Sequence, residues 1–120
     1  MSAAATAVFL TWDPDRAGEG GNPMIMGIIG CKVKEGENIM TVLGKLKTYA
    51  MTYPGCLGAE NLVNERDGSI VAMVSTWKDA EGWRQWEDSE VSRTLLAGAR
   101  ASLVGEPRVT AYRMIPINWG

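Results

Sequence analysis

The chain has 120 residues, 46% of them apolar, with 12 basic and 14 acidic side chains, a net charge of −2 and no histidine. That size fits one compact domain that gains from burying a partner surface, and its scattered, nearly balanced charge makes no electrostatic footprint for nucleic acid. The missing imidazoles remove the usual general base, metal ligand and axial haem ligand together.

Residues 1–22 read as an N-terminal extension to a domain spanning 23–120. A short β-like piece, Ala7-Val-Phe-Leu-Thr-Trp12, precedes a connector, Asp13 to Pro23, whose Gly and Pro density disfavours regular structure. The apolar piece is expected either along a sheet edge or as a leader without fixed structure. Gly18-Glu-Gly-Gly21 does not follow a strand into a helix with phosphate-binding spacing, so it reads as a linker. Met1-Ser-Ala-Ala-Ala has no basic segment leading into an apolar one, and the longest apolar stretch, Met24 to Cys31, is far short of the ~20 residues that span a bilayer. A cytoplasmic protein without membrane contact is expected.

The first strand of the domain is predicted over Met24 to Lys34. One alternating set is Ile25, Gly27, Ile29, Cys31 and Val33, and the other begins Met24, Met26, Ile28, so both faces start apolar and call for cover on two sides. A helix follows with Asn38 as its cap and Ile39, Val42, Leu43, Leu46 and Ala50 on one stripe. It stops near Tyr53-Pro54-Gly55, because proline lacks the amide and restricts the residue before it.

Leu57 to Glu65 alternates weakly, and the Asp-Gly turn in Asn64-Glu-Arg-Asp-Gly68 leads into the strand Ser69 to Trp77, which predicts a hairpin. The second strand is again apolar on both faces. Lys78 to about Val104 is predicted helical in one or two pieces, capped by Asp79, broken near Asp88-Ser89, with Leu95, Leu96, Ala99 and Leu103 as its stripe. Gly105-Glu-Pro107 ends it, and Arg108 to Ile115 makes the last strand. The order βαββαβ is a ferredoxin-like α+β domain, a four-stranded antiparallel sheet with helices on one face. Its other face would stay exposed in a monomer, so a homodimer packed sheet to sheet is expected. Burying ~600 Å² of apolar surface per subunit contributes on the order of 15 kcal/mol gross, before association costs. Ligand space then lies between each sheet and its own helices.

Three of the five tryptophans, Trp77, Trp83 and Trp86, fall at the exit of the third strand and in the helix after it. Indoles so placed serve either as core or as walls around a flat organic ligand. Met26, Met73 and Tyr112 on neighbouring strands are candidates to complete an apolar pocket. Glu60, Glu87, Arg93, Arg100 and Arg113 are the candidates to orient a ligand, with Arg93 preferred. Cys31 and Cys56 lack C-x-x-C spacing and read as reduced thiols without a histidine to activate them. Hydrolytic chemistry and a zinc site find no support.

Pro54-Gly-Cys-Leu-Gly58, the apolar strand ending in Trp77, Lys78-Asp-Ala-Glu81 and Trp86-Glu-Asp-Ser-Glu90 occur in that order. Together they resemble the antibiotic biosynthesis monooxygenase superfamily of dimeric α+β barrels, over about residues 24–117. The resemblance implies a dimeric barrel and small-molecule oxidation. Its haem-degrading branch uses an Asn, a Trp and a His; here Trp86 falls at the Trp, Ile29 at the Asn and Leu96 at the His. Its other branch oxidises polyketide-derived phenols with molecular oxygen and neither metal nor flavin. That branch keeps a Trp matching Trp77, whereas its tyrosine becomes Trp83, its strand Asn becomes Met73 and its helix Arg aligns near Ala97.

The resulting expectation is a cofactor-independent monooxygenase-like enzyme holding an aromatic or quinol-type molecule. Trp77 and Trp86 are the catalytic candidates, and Trp83, Met26, Ile29, Met73, Arg93, Leu96 and Tyr112 the substrate-binding ones. A non-catalytic small-molecule binder is one alternative. Divergent haem binding through Cys31, Tyr112 or a methionine is the other.

Overall fold

A computed structural model describes residues 23–115. The N-terminal extension and its Ala7–Trp12 piece lie outside the described residues. Four strands, β1 (Ile25–Lys32), β2 (Cys56–Val63), β3 (Ile70–Trp77) and β4 (Arg108–Arg113), form one sheet in the order β2-β3-β1-β4 with every neighbour antiparallel. Three α-helices, α1 (Met40–Ala50), α2 (Ala80–Glu87) and α3 (Glu90–Ala99), and a 3₁₀ turn at Arg100–Ser102 complete the βαββαβ order of an α+β ferredoxin-like fold.

Local chemistry explains most boundaries. Asp79 Oδ1 accepts from the Gly82 amide at 2.9 Å and Ser89 Oγ from the Ser92 amide at 3.1 Å, so the expected break at Asp88-Ser89 is the cap of a second helix. At α1 the expected cap moves by one residue. Ile39 occupies the cap position without a side-chain bond, while Asn38 Oδ1 accepts from the Met40 amide at 2.7 Å. The β2–β3 turn is held by Asn64 Oδ1, which accepts from the amides of Arg66 at 2.8 Å and Asp67 at 2.9 Å. Asp67 in turn accepts from Ser69 and pairs with Lys32 of β1 at 2.9 Å.

The core lies between the sheet and its helices. Ile25, Ile29, Cys31 and Val33 on the β1 side and Val71, Met73 and Trp77 on β3 pack against Leu43, Leu46, Ala50, Trp83, Trp86, Ala99 and Leu103. The second face of β1 and β3 is the one for which cover by another sheet is expected. Met26, Ile28 and Gly30 on β1 and Ala72, Val74 and Thr76 on β3 are half-buried there, beside exposed Leu62 of β2 and Tyr112 of β4. Helices cover one side only, because both crossover segments pack on the same face. No helix among the described residues is long and apolar enough to cross a membrane.

Candidate functional site: an indole layer over a small-residue trough

Antiparallel pairing places paired residues on the same face, so the register defines rows of side chains beneath the helices. One row is made of small residues throughout: Ala59 on β2, Ser75 on β3, Gly27 on β1 and Ala111 on β4. It runs between a row of Asn61, Met73, Ile29 and Val109 and a row containing Trp77, Ile25 and Arg113. The result is a trough across the sheet, buried at Ala59 and Ser75 and open at β4, whose six residues are all exposed.

Trp83 fills the trough at Gly27 from above. The six-membered ring of Trp83 rests on Gly27 so closely that a methyl group there would overlap it. Here glycine in an apolar strand marks a close approach by an aromatic ring. Trp83 meets Trp77 edge to face, with centroids 6.3 Å apart at 65°, and Trp86 meets Tyr53 in the same manner at 5.3 Å and 72°. Gly82 admits the start of α2 against this stack, since a Cβ there would sit 3.2 Å from Trp77 Cε3 and 3.4 Å from the Pro54 carbonyl oxygen.

Polar atoms in this layer are few. Trp77 Nε1 donates to Ser75 Oγ at 2.8 Å, and both residues are almost wholly buried. Among the described residues two buried side-chain atoms have no hydrogen-bond partner, Trp86 Nε1 and Asn61 Oδ1. Burial pushes the thiols of Cys31 and Cys56 above the ordinary range, with a backbone hydrogen bond at Gly58 partly opposing this at Cys56. Neither is an activated nucleophile. Among the described residues no group of three or more His, Cys, Asp or Glu side chains could hold a metal ion.

The sequence-derived candidates divide between two faces. Trp77, Trp83, Trp86, Ile29 and Met73 come together in the buried layer, and Leu96 packs against it half-buried. Arg93 stands on the surface, 3.6 Å from Asp88 with both side chains 70% exposed. Met26 and Tyr112 are cross-strand partners on the opposite, helix-free face. They therefore do not wall the same space as the indoles within one protomer. The same division separates Cys31, which is in the core, from Tyr112, so these two alternative haem ligands lie on opposite faces of the sheet. Ser75, Gly27 and Asn61 were not singled out from the sequence. Gly27 alone carried a signal, as a glycine inside an otherwise apolar strand.

Such a layer can desolvate, flatten and orient an aromatic molecule. It holds no acidic or basic side chain, as the buried polar residues among those described are Ser75 and Ser92. Comparison with known proteins agrees with the fold. The family model for antibiotic biosynthesis monooxygenase matches residues 24–97. No curated protein matches the sequence. Among solved structures, a conserved protein from Methanosarcina mazei Go1 is similar at 19% identity and a TM-score of 0.68, over 76% of this chain and 92% of that one. A Shewanella oneidensis protein matches at 18% identity and 0.69, over 77% and 91%. A variant of SnoaB, a cofactor-independent oxygenase from Streptomyces nogalater, matches at 11% identity and 0.68, over 82% and 99%.

Proposed function

This chain belongs to the antibiotic biosynthesis monooxygenase family, and on that premise we propose that it is a cofactor-independent monooxygenase-like enzyme acting on an electron-rich aromatic or quinol-type molecule. The observation that carries the reading is the indole layer over the small-residue trough, which is mostly apolar and has an open end at β4. Trp77 and Trp86 form the inner part of the layer. Trp83, Ile29, Met73 and Leu96 shape the space for the ring, and Arg93 steers ligand from the surface.

The chemistry asked of the protein is modest. An anthrone-type substrate supplies the electrons itself: its ring methylene becomes a carbonyl, one atom of molecular oxygen enters the product, and the other leaves as water with the two methylene hydrogens. The protein holds the ring flat, excludes bulk water and confines oxygen beside the reacting carbon. Neither metal nor organic cofactor enters this reading. The unpaired cysteines suit a reducing, cytoplasmic compartment.

The helix-free face supports a homodimer. Met26, Ile28, Val74, Leu62 and Tyr112 share that face and would be covered by the same face of a second copy. Met26 and Tyr112 then act at the interface. Native mass spectrometry that finds only monomer at micromolar concentration would remove the dimer.

Aerobic incubation with a panel of hydroxyanthrones and naphthoquinols tests the activity, and product appearing no faster than in buffer overturns it. The absence of any buried acid or base among the described residues favours one rival, a carrier that binds the same molecules without oxidising them. Tryptophan quenching on binding, with no oxygen uptake, is its signature.

A further inference from the structure

Two tryptophans at the same depth end differently. Trp77 directs its N–H to an acceptor built into the sheet, Ser75 Oγ at 2.8 Å. Trp86 is as fully buried as Trp77, yet its Nε1 has no acceptor. An indole is donor-only, so this N–H has lost water on folding and gained nothing in exchange. Folded proteins satisfy about nine in ten buried polar groups, and an exception calls for a reason. Phenylalanine would fill an apolar site of this kind without stranding a donor.

Resting on the reading above, that this layer holds a flat aromatic ligand, we infer that Trp86 is a ligand-binding residue whose Nε1–H takes a carbonyl or phenolate oxygen of that ligand. Trp86 and Trp83 are three residues apart on α2 and so lie side by side on one helix face. Nε1 of Trp86 is closed from solvent, so an oxygen reaches it only when side chains packed in the layer shift. Tyr53 packs edge to face on Trp86, and Trp83 is its neighbour one turn back on α2. Trp83 lies on Gly27 in the trough, next to Ala111 at the exposed β4 end. A ligand ring entering from β4 and taking the place of Trp83 brings its oxygen to the adjacent turn of α2. Trp77 cannot serve in this way while Ser75 holds its N–H.

The test uses the full chain and two probes with the same fused-ring skeleton and charge, anthraquinone-2-sulfonate and anthracene-2-sulfonate, which differ in their carbonyl oxygens. Calorimetry should find the quinone bound about tenfold more tightly, the value of one buried hydrogen bond, and Trp86→Phe should abolish that preference while leaving the anthracene affinity nearly unchanged. Proton–nitrogen NMR of the unaltered protein gives a second readout that does not depend on the variant folding. The Trp86 indole N–H resonance, assigned through its contact with Tyr53, should move downfield with the quinone and not with the anthracene. If both probes bind and neither the preference nor the Trp86 resonance responds, the role of Trp86 is overturned and the aromatic site stands. If neither probe binds, the aromatic-ligand reading fails and this inference fails with it.

Discussion

The Trp77 indole N–H and the Ser75 hydroxyl, two residues apart on one strand, form a hydrogen bond of 2.8 Å inside the layer between sheet and helices. Residues i and i+2 of a strand point to the same face, so the serine is at the right spacing to receive its neighbour's donor. Removing the acceptor leaves a buried N–H unpaired. Ser75→Ala should cost about 1–3 kcal/mol of stability, visible as a lower urea midpoint. An unchanged midpoint would mean that Trp77 finds another acceptor or that the bond adds nothing.

Gly27 sets how deeply Trp83 seats. Because a methyl group at 27 overlaps the Trp83 ring, Gly27→Ala should destabilise the fold by about 1–3 kcal/mol as an overpacked core does. The same substitution should shift tryptophan emission to the red as Trp83 is pushed towards solvent. Adding Trp83→Ala should recover part of the packing loss, because the two changes act on one contact. Additive losses in the double variant would contradict the close approach.

Asp67 gives the fold an acid sensitivity of known sign. Its hydrogen bonds from Ser69, followed by that from Lys32, hold its carboxyl well below the usual carboxylate range. A depressed native pKa means that the unfolded state binds the proton first. The contribution of Asp67 is therefore present above the ordinary aspartate pKa of about 4 and is lost as pH falls from there towards the native value. Urea midpoints from pH 7 down to pH 3 should fall less steeply for Asp67→Asn than for the unaltered protein. Parallel curves would show that the turn does not depend on the charge.

The two thiols should be slow nucleophiles. Burial raises both, and Cys31 lies in the core while Cys56 is partly exposed. Iodoacetamide at neutral pH should label Cys56 slowly, with a rate that climbs above pH 9, and should label Cys31 only on unfolding. Rapid labelling of Cys31 under native conditions would contradict its packing.

Much of this arrangement is legible in the sequence. The glycine and proline punctuation, the Asp79 cap, the Asp88-Ser89 break and the two helical stripes place each element within a few residues, since those signals are local. The run from Trp77 to Trp86 announces an aromatic cluster for the same reason: a strand end and one helical turn keep those side chains close whatever the remaining topology.

Tertiary structure decides the rest. Alternation sorts β1 into two sets, yet with both sets apolar it does not say which faces the helices, and Met26 fell in the set that does not. Strand pairing puts Tyr112 beside it, away from the indoles. The row Ala59, Ser75, Gly27 and Ala111 draws on four strands and appears only once their register is set. Whether a buried donor finds an acceptor is later still. Trp77 and Trp86 have the same chemistry in the chain, and only the packed arrangement of side chains satisfies one and leaves the other open, because a hydrogen bond depends on distance and direction that residue order does not specify.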